Sequence, residues 1–300
     1  MGDLLLGPLS AATGANGPSA ATGQLLLESD PLLGNLPWPS VETASGPIGL
    51  RFNLEESPSL VLDRPPEIAA RPSGQPLIVG ASVAPSNLSA SQLLPEVLTE
   101  ARAVARFDSD PNLLLATEAT ESRVAARLAT ASAIHFAGHA VLQDGSTHLL
   151  LAPQKEPPSE NGSAGLNSAR PSQDRPYLDS DFLRKHPPRA ARLAVFSACS
   201  TGKKEEGWNH GMGDIVDTLA LLGVPDVVAT RWQIDSGSAV PMMNAFYDGL
   251  AKGLSVPQAL TAARQSLIRD PRYRHPYYWA AWYASGYGRS DLSQIFHAGR

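Results

Sequence analysis

From residue 76 onward the chain alternates short, almost wholly apolar runs with segments whose apolar residues recur every three or four positions. The runs are PLIVGAS (76–82), NLLLATEA (112–119), AIHFAGHA (133–140), HLLLAP (148–153), RLAVFSAC (192–199) and DVVATRWQ (226–233). A run that is apolar on both faces is covered on both, as in a parallel sheet. Between the runs, LLPEVLTEARAVARF sets Leu94, Val97, Leu98, Ala101, Val104 and Ala105 on one side of a helix. TESRVAARLAT starts a second helix with Thr120 as its N-cap. Further helices are expected in 212–223, 238–253 and 255–270, and WAAWYASGY (279–287) closes as a strand. Strand and helix in alternation predict an α/β chain, a mainly parallel sheet with helices on both faces.

The flanks are less regular. Residues 1–24 are rich in Gly, Ala, Ser and Thr and read as a flexible N-terminal arm. Residues 25–65 suggest short strands and loops. The stretch 154–190 holds many Pro, Ser and charged residues and reads as a mobile loop or insertion. One domain is expected over 25–288, followed by a tail at 289–300. No internal repeat is visible.

Composition removes several function classes. A net charge of −5 and a pI near 5.8 give no footprint for nucleic acid. There is no polybasic patch and no run of about 20 apolar residues, so no membrane association is expected. The start MGDLLLGPLS lacks a basic region and a sustained apolar stretch, which argues against a secretory signal and for a cytoplasmic site. Cys199 is the single cysteine. It rules out an intramolecular disulfide and a cysteine-rich zinc site. No cofactor is expected.

Two apolar runs end in reactive residues. AIHFAGHA delivers His139 after Gly138, and RLAVFSAC delivers Cys199 before a Ser-Thr-Gly turn. In open α/β sheets the working groups stand beyond the carboxyl ends of strands. A thiol and an imidazole brought together there make a nucleophile and its base. Gly138 allows a backbone N–H to approach an oxyanion, and the N–H of Cys199 is a second donor.

The segments AIHFAGHA, FSACSTG, VVATRWQID, ALTAARQSL and HPYYWAAW, in this order, resemble the CHAT domain, with LLGNLPWPSVE similar to its early segment. The likeness covers roughly 25–288. This peptidase family belongs to the caspase–separase clan and is often joined to TPR repeats. The order fits: Cys199 stands 60 positions after His139, and in caspases the interval is about 50. The resemblance implies catalytic roles for His139 and Cys199 and cleavage of a protein or peptide. Asp235, beyond the DVVATRW strand, would line the primary specificity pocket with Trp232 and receive a basic side chain. The residue after the nucleophile is Ser200, where the family commonly has an acid or amide. No TPR repeat stands in the sequence, so a TPR-type or other activating partner would be a separate chain.

Each assignment has a plainer counterpart. A lone cysteine is usually a small buried hydrophobe. His135 lies four positions before His139, on the same strand face. A metal pair lacks its HExxH glutamate and a third ligand, which favours a core or supporting role for His135. Asp235 can simply cap the next helix, and Asp144 and Asp214 are weaker pocket candidates. Tyr278, Trp279 and Trp282 suit packing. The rival to a peptidase is a catalytically silent scaffold or interaction module. A nucleotide-binding domain ranks last, since neither G-x-G-x-x-G nor a P-loop follows any strand.

Overall fold

The computed structural model describes residues 23–28, 33, 36–57, 74–82, 95–143, 145–154, 176–198, 213–286 and 292–297. Among the described residues thirteen strands form three sheets. They are β1 (Gln24–Leu27), β2 (Glu42–Thr43), β3 (Gly46–Pro47), β4 (Asn53–Glu56), β5 (Leu77–Ala81), β6 (Asn112–Leu115) and β7 (Ala133–Gly138). The others are β8 (Ala140–Gln143), β9 (Ser146–Leu150), β10 (Tyr177–Leu178), β11 (Leu193–Ala198), β12 (Asp226–Thr230) and β13 (Trp282–Gly286). The α-helices of the described residues are α1 (Pro95–Ala105), α2 (Glu121–Leu128), α3 (Ser180–Lys185), α4 (Asp214–Leu221), α5 (Ser236–Ala251), α6 (Val256–Leu267) and α7 (Pro276–Trp279).

The main sheet has the order β1-β4-β13-β12-β11-β7-β5-β6. Every pairing in it is parallel except β12 with β13. β5, β7, β11 and β12 are buried along both faces, as their apolar runs demand. Alternate side chains feed two cores. Leu77, Val79, Ile134, Phe136, Ala194, Phe196 and Val227 face Val124, Leu128, Leu183 and Leu219 of α2, α3 and α4. Ile78, Ala133, Leu193, Val195 and Val228 face Ala101, Val104, Met242, Phe246, Leu260 and Ala263 of α1, α5 and α6. Helices therefore cover both faces, as the alternation predicts.

Differences from the sequence reading are confined to the polar stretches and the ends. Part of the 154–190 stretch is built rather than looped. β10 pairs with β9, and α3 starts at its N-cap Asp179, whose carboxylate accepts from Phe182 N at 2.8 Å. Leu178, Phe182 and Leu183 are buried, which stabilises a helix too short to show a period. Residues 155–175 lie outside the described residues. In the segment read as a tail, Leu292, Ile295 and Phe296 are buried in the α5–α6 core. Their i, i+3, i+4 spacing is the sequence signal for that. Of the arm, 1–22 lie outside the described residues, and Gln24 already begins β1. Thr120 stands at the N-cap of α2 without a side-chain capping bond.

Candidate active site

β7 sits between β5 and β11, and the three strands end level, with Gly138 opposite Ala81 on one side and Ala198 on the other. A Cβ at 138 would lie 2.9 Å from the Ala81 carbonyl oxygen and 3.0 Å from the Phe136 ring, so this close-packed strand end requires glycine. His139 is the next residue and is half-buried. Its carbonyl accepts from Leu150 N at 2.9 Å, which fastens the exit of β7 to the β8–β9 hairpin.

Cys199 is the next residue after Ala198. It lies outside the described residues, as do Ser200, Thr201 and Gly202. The residue before it is firmly placed: the buried Thr230 hydroxyl donates to the Ala198 carbonyl.

A cleft of about 300 Å³ opens beside these strand ends. Gly138, His139 and Ser197 contribute from the sheet, Glu100 from α1, and Asp235 and Tyr278 from the far wall. Among the described lining residues two are carboxylates and none is Lys or Arg. Asp235 thus lies in one cleft with His139 and Gly138. It also holds the helical role: at the N-cap of α5 its Oδ1 accepts from Ser238 N at 2.8 Å. Trp232 stands behind the wall rather than in the lining, its indole N–H donating to the Tyr277 carbonyl at 3.1 Å.

Beneath the cleft His135 is 2% exposed, with Nδ1 3.1 Å from the Tyr247 hydroxyl and Nε2 3.2 Å from Glu100 Oε1. Burial, and next the nearby Glu100, push the Tyr247 phenol well above its usual range. It therefore stays neutral and keeps its proton to share with the imidazole. His135 is thus part of a buried polar network and not of a histidine pair. Asp214 is away from the cleft: its Oδ1 accepts from Thr147 N at 3.1 Å and its Oδ2 from Ser180 Oγ at 2.9 Å, joining α4 to β9 and α3. Asp144 lies outside the described residues.

Glu100, Ser197 and Tyr277 are among the lining residues that have no counterpart in the sequence reading. Glu100 was visible in principle, because it follows Val97 by three on the apolar side of α1, where a carboxylate is out of place. Ser197 alternates with Val195 on the same strand face.

Among the described residues no three His, Cys, Asp or Glu are grouped to hold a metal ion. No helix of those residues is long and apolar enough to cross a membrane.

Comparison with solved structures places the architecture. A protease structure superimposes with a TM-score of 0.54 at 10% identity, over 84% of this chain and 57% of that one. Separase from Saccharomyces cerevisiae, in complex with securin, gives 0.48 at 14% identity, over 90% of this chain and 15% of that one. The Arg-specific cysteine proteinase gingipain R gives 0.46 at 9% identity, over 72% and 46%. The chain spans less than two thirds of each of these structures. No curated protein matches the sequence. The fold is the caspase-like α/β arrangement, a mainly parallel sheet with helices on both faces. The sequence model of the CHAT domain matches residues 1–287, and the chain belongs to the CHAT domain family.

Proposed function

We propose that the chain is a cysteine-type endopeptidase in which Cys199 is the nucleophile and His139 its general base. One observation carries the reading: Ala198 and Gly138 are paired in register on adjacent parallel strands, and the next residues in the chain are Cys199 and His139. Strands so paired run about 4.8 Å apart. In the proposed reaction the imidazole takes the thiol proton and the thiolate attacks the carbonyl carbon of the scissile peptide bond. The backbone N–H groups of Gly138 and Cys199 stabilise the resulting oxyanion. The C–N bond then breaks, the imidazolium returns the proton to the leaving amine, and water hydrolyses the thioester. The substrate is a protein or peptide segment cut after a basic residue, with Asp235 beside the side chain that enters the cleft, Ser200 next to the nucleophile, and Trp232 bracing the wall through the Tyr277 carbonyl. A TPR-type or other chain would deliver substrate or activate the enzyme, and a cytoplasmic location suits the free thiol.

Labelling by a cysteine-directed peptidyl electrophile tests this. Cys199 is the single thiol, so Cys199→Ala abolishes labelling in any case. The informative variant is His139→Ala, expected to slow labelling and peptide cleavage by about 100-fold or more. An unchanged rate in His139→Ala removes the peptidase reading and leaves the chain an interaction module.

A further inference from the structure

The central strands part at their carboxyl ends. β11 pairs with β7 over its whole length, from Leu193↔Ala133 to Ala198↔Gly138. With β12 it pairs only as far as Val195↔Val228. β12 instead follows β13 to Thr230↔Trp282, and Arg231 N then donates to the Ala281 carbonyl at 3.0 Å. A seam therefore opens between the last residues of β11 and β12. The cleft lies across it, with Gly138 and Ser197 on one side and Gln233, Ile234 and Asp235 on the other.

Backbone groups of β11 that face this seam need partners from outside the ladder. Thr230 supplies one. It ends β12, is fully buried, and its hydroxyl donates to the Ala198 carbonyl. A side chain thus stands in for a ladder bond at the residue before Cys199. The Ala198 carbonyl and the Cys199 N–H belong to one peptide unit. Such a unit is planar and trans, so its C=O and N–H point in opposite directions. An oxygen held toward β12 turns the N–H away from β12, to the side where β7 brings Gly138. A carbonyl that accepts a hydrogen bond also polarises its own amide and makes the N–H a stronger donor.

We propose that Thr230 is a positioning residue for acyl transfer: its hydroxyl fixes the peptide unit between Ala198 and Cys199 and so aims the Cys199 N–H at the oxyanion. Thr230 itself does not line the cleft and acts through that unit alone. The role rests on the peptidase reading of Cys199. A threonine that merely stabilises a strand end affects every reaction of the thiol alike. One that aims an oxyanion donor affects only the reactions that form an oxyanion.

Two reactions of the full chain separate these roles. In the first, N-acetyl-arginine p-nitrophenyl ester acylates Cys199. The thiolate adds to the ester carbonyl, the oxyanion collapses with loss of p-nitrophenolate, and water hydrolyses the thioester. In the second, iodoacetamide alkylates Cys199. A C–S bond forms as the C–I bond breaks, iodide leaves, and no oxyanion arises. Thr230→Val removes the hydroxyl at similar shape. It is expected to lower kcat for the ester about 10-fold to 100-fold, with KM within about threefold, which is less than loss of a whole oxyanion donor. The alkylation rate and its pH profile should stay within about twofold. Thr230→Ser should recover kcat to within about threefold of the unmodified chain. An ester kcat that stays within about twofold in Thr230→Val overturns the proposal. So does an equal fall in both reactions, and so does a Thr230→Ser variant no better than Thr230→Val. If circular dichroism shows Thr230→Val unfolded, Thr230→Ala is held to the same limits. The peptidase reading fails elsewhere, in the unmodified chain: ester hydrolysis there no faster than in Cys199→Ala removes that reading and the positioning role with it.

Discussion

Two buried charged clusters lie on opposite sides of β12, and they are built differently. Under the cleft, Glu100, His135 and Tyr247 lie together, with His135 Nδ1 3.1 Å from the Tyr247 hydroxyl and Nε2 3.2 Å from Glu100 Oε1. At the other cluster Arg231 grips both oxygens of Glu56 and stacks on Tyr283, 4.1 Å from its ring centroid, while Arg264 donates to the Trp282 carbonyl at 2.7 Å. Here the acid is answered by two guanidinium groups inside the fold, and none of these residues lines the cleft. The same residue types serve two ends. One cluster joins β4 to the sheet; the other lies under the strand ends that carry the candidate site.

The sharpest way to break the contrast is Glu56→Gln. It leaves Arg231, 6% exposed, without its counter-charge, and the expected loss is about 3–5 kcal/mol in urea unfolding. A loss below about 1 kcal/mol would mean that the cluster is not closed. Tyr247→Phe comes next. It removes the hydroxyl 3.1 Å from His135 Nδ1 and leaves a buried nitrogen unpaired, for about 1–2 kcal/mol by the same measurement. The smallest effect is at an exposed pair that serves as a reference. Arg272 donates to Asp270 at 2.6 Å, and that bond holds the Asp270 carboxyl below the usual aspartate range. A depressed folded-state value gives stability that is present above about pH 4 and is lost as the pH falls through the folded-state titration. Asp270→Asn should therefore cost more at neutral pH than in acid, though less than either buried variant, and slightly flatten the acid side of a stability curve. A loss as large as that of Tyr247→Phe would remove the distinction between buried and exposed pairs.

The contrast also separates what the sequence displays from what it conceals. β5, β7, β11 and β12 are legible because their runs are apolar on both faces, and α1 and α6 because their apolar residues recur with the helical period. His139 stands out because it ends such a run. β4, with the sequence NLEE, reads as surface, yet all four residues are buried. Its acids are matched by partners as far as 175 positions away, and no local pattern announces a pairing of that range. The same holds for Glu100: its place on α1 is visible, but its meeting with His135 and the cleft depends on how α1 lies across β7. Asp235 illustrates the opposite case, since the capping role and the cleft position were both readable and both occur at one residue.

The position of β4 has a consequence for how the chain assembles. β4 touches only β1 and β13 in the sheet. Within this chain β1 and β4 precede the other strands of the sheet and have no third strand to join until residues 282–286 have been made. A two-stranded pair alone is marginal in water. The parallel block β6-β5-β7-β11-β12 can gather in order of synthesis, but the strands made first are the last to find their place. Loop closure over more than 200 residues makes that step slow, and an incomplete chain released before β13 would expose the edge of β12 to other molecules.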